Sequence, residues 1–329
     1  MHRDRVKLKT VAVLRYKDMK YNFNPENFDE LREKLDSTVV YSGLYEDIPE
    51  NADVVIEEGI EEIAECAFRD FENLRSVTFP KSLRRISACA FSGCKNLVSV
   101  QFSDGVTEIL DEAFAYCSSL LSVIMPDTVL RIGEGAFEGC AALGKLKISE
   151  RCEMIASGAF SYCFNLRDVV IPDSVVLVEF SAFASCFSLE GVKLSSSMGL
   201  IDESTFEGCR SLRTVDMPPK LYKIGRRTFG GCSSLDNLIL PITLKTIGFD
   251  AFRDCTSLRR LAIPRDLREI EDDDAFSGCD SLAEITFAGS REEWELLNHG
   301  KILTVTRTDL SVITPKLSFL NLKRGKNEV

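Results

Sequence analysis

A phenylalanine returns at a fixed interval along most of this chain. Phe68, Phe91, Phe114, Phe137, Phe160, Phe183, Phe206, Phe229 and Phe252 are each 23 residues apart, and Phe276 follows after 24. A fixed period of about 20–50 residues specifies stacked copies of one unit, not a single globular core. At 329 residues the chain is ordinarily long enough for two domains. A solenoid grows in one dimension, so the repeat removes that inference.

With Phe at position zero, the other positions of each coil fall into columns. Ala precedes the Phe in eight of ten coils, with Thr205 and Thr228 as the exceptions. Cys follows at three in every coil but the first, which has Phe71, and Leu follows at six from Leu74 to Leu282. Apolar pairs stand at nine and eleven, such as Val100/Phe102 and Val169/Ile171. Pro often comes next (Pro80, Pro126, Pro172, Pro218, Pro241, Pro264), and apolar residues recur at fifteen and eighteen. The period-2 pair predicts a short strand with one buried face, ended by a Pro that cannot donate to a ladder. Three-residue apolar spacing in AFxxCxxL predicts a tight helical or 3₁₀ turn. Gly before the Cys, as at Gly93 and Gly139, predicts a bend.

In combination, LxxIxxxAFxxCxxLxxVxIP over residues 53–288 resembles the BspA-like leucine-rich repeat family. FAGSREEWELL is similar to the end-cap common in that family. The resemblance implies a right-handed, parallel, leucine-rich-repeat-type β solenoid with short turns, mostly β with some α in the caps. It also implies a protein that binds host or microbial partners, often at a bacterial surface. In ordinary leucine-rich repeats the Asn/Cys follows the strand, whereas here the Cys precedes it.

Open solenoid ends expose strand edges and apolar side chains, so caps are required. Residues 1–52 are expected to form one, as a hairpin (KLKTVAVLRY, MKYNF) and a helix capped by Asn24 and Pro25. Residues 53–288 hold the ten repeats and 289–329 the second cap. In that second cap Ser290 and Glu293 have capping-box spacing, and Trp294 is expected on the last coil.

A net charge of −11 argues against a general nucleic-acid or anionic-membrane binder. Segment 26–65 carries fourteen Asp/Glu against Arg32 and Lys34, which reads as a solvated cap or as a dock for a basic partner. The start has no signal-peptide pattern, and no run of apolar residues is long enough to span a bilayer. As written the chain reads as cytoplasmic. Cell-surface or secreted placement is the alternative if an export signal has been trimmed.

Nine of the twelve cysteines lie in the repeat column; Cys66, Cys89 and Cys152 do not. Thiols acting as small buried hydrophobes are expected. Parallel side chains one coil apart suit neither a disulfide nor a tetrahedral metal site. No cofactor is implied. His2 and His299 have no nucleophile at a specific spacing. The acidic EIEDDDAF lacks calcium-loop alternation, and GEGAFEGC is one register of the repeat rather than a phosphate loop.

Positions eight and ten point away from the core because nine and eleven point in. There Lys145, Lys147, Asp168, Val170, Lys193 and Asp216 gather over neighbouring coils and are the candidate partner-binding residues. The sequence thus predicts a non-enzymatic module that binds a protein or peptide on its strand-lined face. An adhesin-type surface protein, a hydrolase or transferase with its site in a terminal cap, and a structural spacer are the alternatives.

Overall fold

The computed structural model describes residues 5–8, 40–41, 51–271 and 274–298. The repeats wind into a parallel β solenoid with two sheets. The first sheet uses positions eight to ten of each coil. It runs through Arg5–Leu8, Ala52–Ile56, Leu74–Thr78, Ser99–Gln101, Ser122–Ile124 and Lys145–Lys147. It resumes in Asp168–Val170, Gly191–Lys193 and Thr214–Asp216, and again in Asn237–Ile239, Arg260–Ile263 and Glu284–Phe287. The second sheet uses two residues per coil, from Val40–Tyr41 and Glu62–Ile63 to Leu177–Val178, then from Leu200–Ile201 to Glu269–Ile270. Neighbours pair in parallel with equal repeat positions opposite, as in Arg85↔Glu108 and Val192↔Val215. The sequence reading has only a return segment where this second sheet stands.

The AFxxC turn is built from overlapping β-turns. Ala90, Ser92 and Cys94 donate their N–H groups three residues back within the coil, to Ser87, Cys89 and Phe91. The N–H groups between them point along the solenoid instead. Cys89, Phe91 and Gly93 donate to Asp111, Ala113 and Ala115 of the next coil at 2.7–2.9 Å. Left-handed residues two before and two after the Phe make this alternation possible, as at Cys89 (φ 55°) and Gly93 (φ 76°). Gly fills the second place in five coils, while Asp70, Tyr116, Tyr162, Ser185 and Asp254 hold the same conformation at a steric cost.

The Phe rings stack down the centre as a consequence. Successive centroids are 4.8–5.7 Å apart with planes within 12° of parallel. Every Phe of the column is buried, and Leu, Ile and Val from both sheets enclose it. The two exceptions to the preceding Ala are accommodated by their hydroxyls. Buried Thr205 and Thr228 donate to the carbonyls of Asp202 and Gly225 at 2.8 Å.

At the C-terminal end, helix α1 (Arg291–Asn298) follows the last strand. The capping box is present: Ser290 N–H donates to Glu293 at 2.7 Å, and Glu293 N–H donates to Ser290 Oγ at 3.2 Å. Trp294 is buried 5.3 Å from the Phe287 ring, on the last coil as expected. The expected N-terminal helix, His2, His299 and the Asp272–Asp273 insertion lie outside the described residues. So does most of the expected hairpin; Arg5–Leu8 pairs in parallel with the strand at Ala52–Ile56.

Phe160→Ala is expected to lower stability by about 3–5 kcal/mol, as for other large-to-small core changes. An unchanged denaturant midpoint would reject the stacked column as the core. A second expectation concerns acid. The Ser290 amide and then Arg265 hold the Glu293 carboxyl below its ordinary value. A depressed carboxyl stabilises the folded form above its unfolded pKa, and that contribution fades as pH falls through the folded value. The stability difference between wild type and Glu293→Gln should therefore shrink below about pH 4.5. Fluorescence of Trp294, the only tryptophan in the sequence, reports it. A difference that grows toward low pH would contradict the assignment.

Candidate binding face

The cysteine column is structural in its geometry. Each thiol of the column donates to the carbonyl of the Phe one coil back, from Cys94 to Phe68 (2.9 Å) through Cys279 to Phe252 (3.1 Å). That carbonyl also accepts the N–H of the residue three later in its own coil, Phe71 in the first coil and Cys in the others, so both lone pairs are used. Burial pushes the Cys140 thiol up to about 12 and Cys152 to about 11. Burial, then Glu112, pushes half-exposed Cys89 up to about 12. These groups stay protonated and are poor nucleophiles near neutrality. All twelve cysteines are thiols rather than disulfides, and ten are buried. Among the described residues no His, Cys, Asp and Glu gather as a metal-binding group. A thiol reagent should reach only Cys66 and Cys89 in the native chain and all twelve after denaturation without reductant. Fast native reaction of more than two thiols would refute this packing.

The first sheet carries its candidate residues on its outer surface. Lys145, Lys147, Asp168, Val170, Lys193 and Asp216 are all exposed. Val170 pairs with Lys193 and Lys193 with Asp216, so these three form one row across adjacent strands. Asp168 lies opposite Gly191 in the neighbouring row. Lys145 and Lys147 end the six-stranded run, opposite Ser122 and Ile124.

The electrostatics of the group are mixed. Lys147 Nζ lies 3.7 Å from Asp127 on the rim of the sheet. Asp127 also accepts the Glu150 N–H, and Asp173 accepts the Ser196 N–H, so the rim carboxylates tie one coil to the next. The Ser196 amide and hydroxyl, with Lys193, hold the Asp173 carboxyl below its ordinary value. Lys145 and Lys193 make no ion pair among the described residues. The surface therefore mixes Lys145, Lys147 and Lys193 with Asp168 and Asp216 beside a carboxylate rim, and Val170 is 58% exposed among them.

The structure adds residues that the candidate set omits. Ile124 and Ile239 share the outward column of Val170, and Ile239 is 81% exposed. Their signal in the sequence is an apolar residue at a solvent-facing position. At the turn edge, Phe164 stacks on Phe187 at 4.8 Å, with Arg210 4.6 Å above the Phe187 ring. That set is visible in the sequence as aromatics four residues past the Phe in two successive coils.

The family profile described as BspA type leucine rich repeat region matches residues 38–167 and 177–295, in six copies. A search of curated proteins finds no significant match. Among solved structures, the T. pallidum leucine rich repeat protein is 28% identical over 66% of this chain and 87% of that one, with a TM-score of 0.46. A leucine rich cell surface protein from Faecalibacterium prausnitzii is 26% identical over 79% and 85%, with a TM-score of 0.41. The pneumococcal vaccine antigen PcpA is 21% identical over 77% and 75%, with a TM-score of 0.51, a likeness of fold.

Proposed function

The chain belongs to the BspA-type leucine-rich repeat family, and we propose that it is a non-enzymatic module that binds a protein or peptide on the outer surface of its first sheet. The observation that carries this reading is the composition of that surface. Buried columns hold constant along the solenoid, while positions eight and ten change from coil to coil and include exposed Val170 beside Lys193 and exposed Ile124 beside Lys147. Exposed apolar groups next to cations suit an anchor-and-rim contact with a partner carrying acidic and apolar side chains. The thiols, the chain's most abundant nucleophilic group by position in the repeat, are engaged as donors to Phe carbonyls. That supports a structural role for them over a catalytic one. Among the described residues no helix is long and apolar enough to cross a membrane.

Lys147→Glu with Lys193→Glu tests the face. Neither change touches Leu146, Ile148, Val192 or Leu194, and the fold should lose less than about 1 kcal/mol. A partner captured by the wild-type chain should bind at least about tenfold more weakly, with a shallower salt dependence. Arg151→Glu, exposed on the turn between the two sheets, is the control. Binding that survives the double change but fails with Arg151→Glu would move the site off this sheet.

A further inference from the structure

We propose that the outer surface of the second sheet is a two-fold interface with a second copy of this chain. From the strand at Glu62 onward the outward residues, in order, are Glu62, Arg85, Glu108, Arg131, Met154, Leu177, Leu200, Lys223, Thr246 and Glu269. Polar or charged residues stand at both ends, as expected of a sheet face in water. Three successive coils in the middle are apolar instead. Arg131 pairs with Met154, Met154 with Leu177, and Leu200 with Lys223, so the change in character is abrupt at both borders. Val176 beside them is 63% exposed, Phe180 52% and Tyr222 53%. A contiguous apolar strip with charged borders is the usual mark of a contact surface.

Charge placement selects the occupant. In the coil of Phe91, the positions seventeen, twenty and twenty-one are Glu108, Asp111 and Glu112. In the coil of Phe206, the same three positions are Lys223, Arg226 and Arg227. The point midway between these coils lies between Met154 and Leu177, at the apolar strip. A two-fold axis there sets the acidic coil of each copy against the basic coil of the other, twice. It also sets Met154 against Leu177 and Arg131 against Leu200, with Glu134 left facing Glu203. Self-complementarity of this kind is what a two-fold contact requires.

These charges already have neighbours in their own chain. Glu108 meets Arg85 at 2.8 Å, Lys223 meets Glu271 at 2.8 Å and Arg226 meets Glu203 at 3.8 Å. They remain partly exposed, so their part is to set register while the apolar strip supplies affinity. Six coils at about 4.8 Å and seven residues at about 3.3 Å give a strip roughly 24 by 20 Å, about 480 Å². That is below the roughly 800 Å² per partner of a standard interface, the size of a weak, dissociating dimer.

Sedimentation velocity of the full chain over a wide concentration range tests the idea. The wild type should be a dimer at the upper end and dissociate on dilution. Leu177→Glu and, separately, Val176→Glu should weaken self-association at least about tenfold while leaving the melting curve in place. A charge exchange gives the sharper result. Glu108→Arg with Asp111→Arg in one chain, and Lys223→Glu with Arg226→Glu in another, should each be monomeric alone. Mixed together they should form a one-to-one dimer, since each repelling pair becomes an attracting one. A wild type that stays monomeric throughout would assign the strip to a different partner and overturn the proposal. So would a dimer indifferent to both apolar substitutions, or exchanged variants that ignore each other when mixed while the wild type dimerises.

Discussion

The fold depends on the direction of every second amide in the AFxxC turn. Left-handed residues on either side of the Phe rotate alternate N–H groups onto the axis of the solenoid. A turn that would otherwise only reverse the chain thereby becomes a third ladder between coils. The ladder fixes the Phe backbone from coil to coil, and the rings have little choice but to stack at the coil spacing. The thiol at position three then takes the lone pair that the intra-coil turn bond leaves on the Phe carbonyl of the coil before. A small, weak donor suits a dry site, because any group that remained charged or half-satisfied there would cost more than it contributes.

The two sheets have different freedoms because they are made differently. Three outward-and-inward residues per coil give the first sheet two exposed positions for each buried one. The second sheet has one of each. Its outward column is thus a single file, and three apolar residues in succession there are a larger fraction of the surface than three would be opposite. The readings proposed for the two faces are separable on that ground: one surface offers a mixed, coil-by-coil text, the other an apolar strip with an acidic coil on one side and a basic coil on the other.

Sequence periodicity carried the buried columns well. The Phe, Cys and Leu positions, the strand at nine and eleven, the capping box and the seat of Trp294 are all readable from spacing. The second sheet is not, since a two-residue strand such as Arg85–Ile86 is too short to display a period of two. The left-handed sites show where Gly occupies them, as at Gly93. They are hidden where Tyr116 or Ser185 stands, because nothing about those residues announces φ > 0. The outward positions of Lys147 and Lys193 are legible, but the carboxylates facing them are not. Asp127 lies twenty positions before Lys147 in the chain, and only the winding of the coil brings it alongside. Local signals set the scaffold; the electrostatic character of a face arises between coils.

A chain wound in this way also has a particular response to force. Each coil is bonded to the one before and the one after, and the backbone leaves each coil at the edge where the next begins. Tension applied along the axis would therefore load one inter-coil seam at a time, like thread drawn from a spool, and not all seams in parallel shear. Each release frees one Phe from its stack and one thiol from its carbonyl, then meets the same seam again. The molecule would pay out length in small, nearly equal steps, with the energetic unit set by the single coil rather than by the protein as a whole.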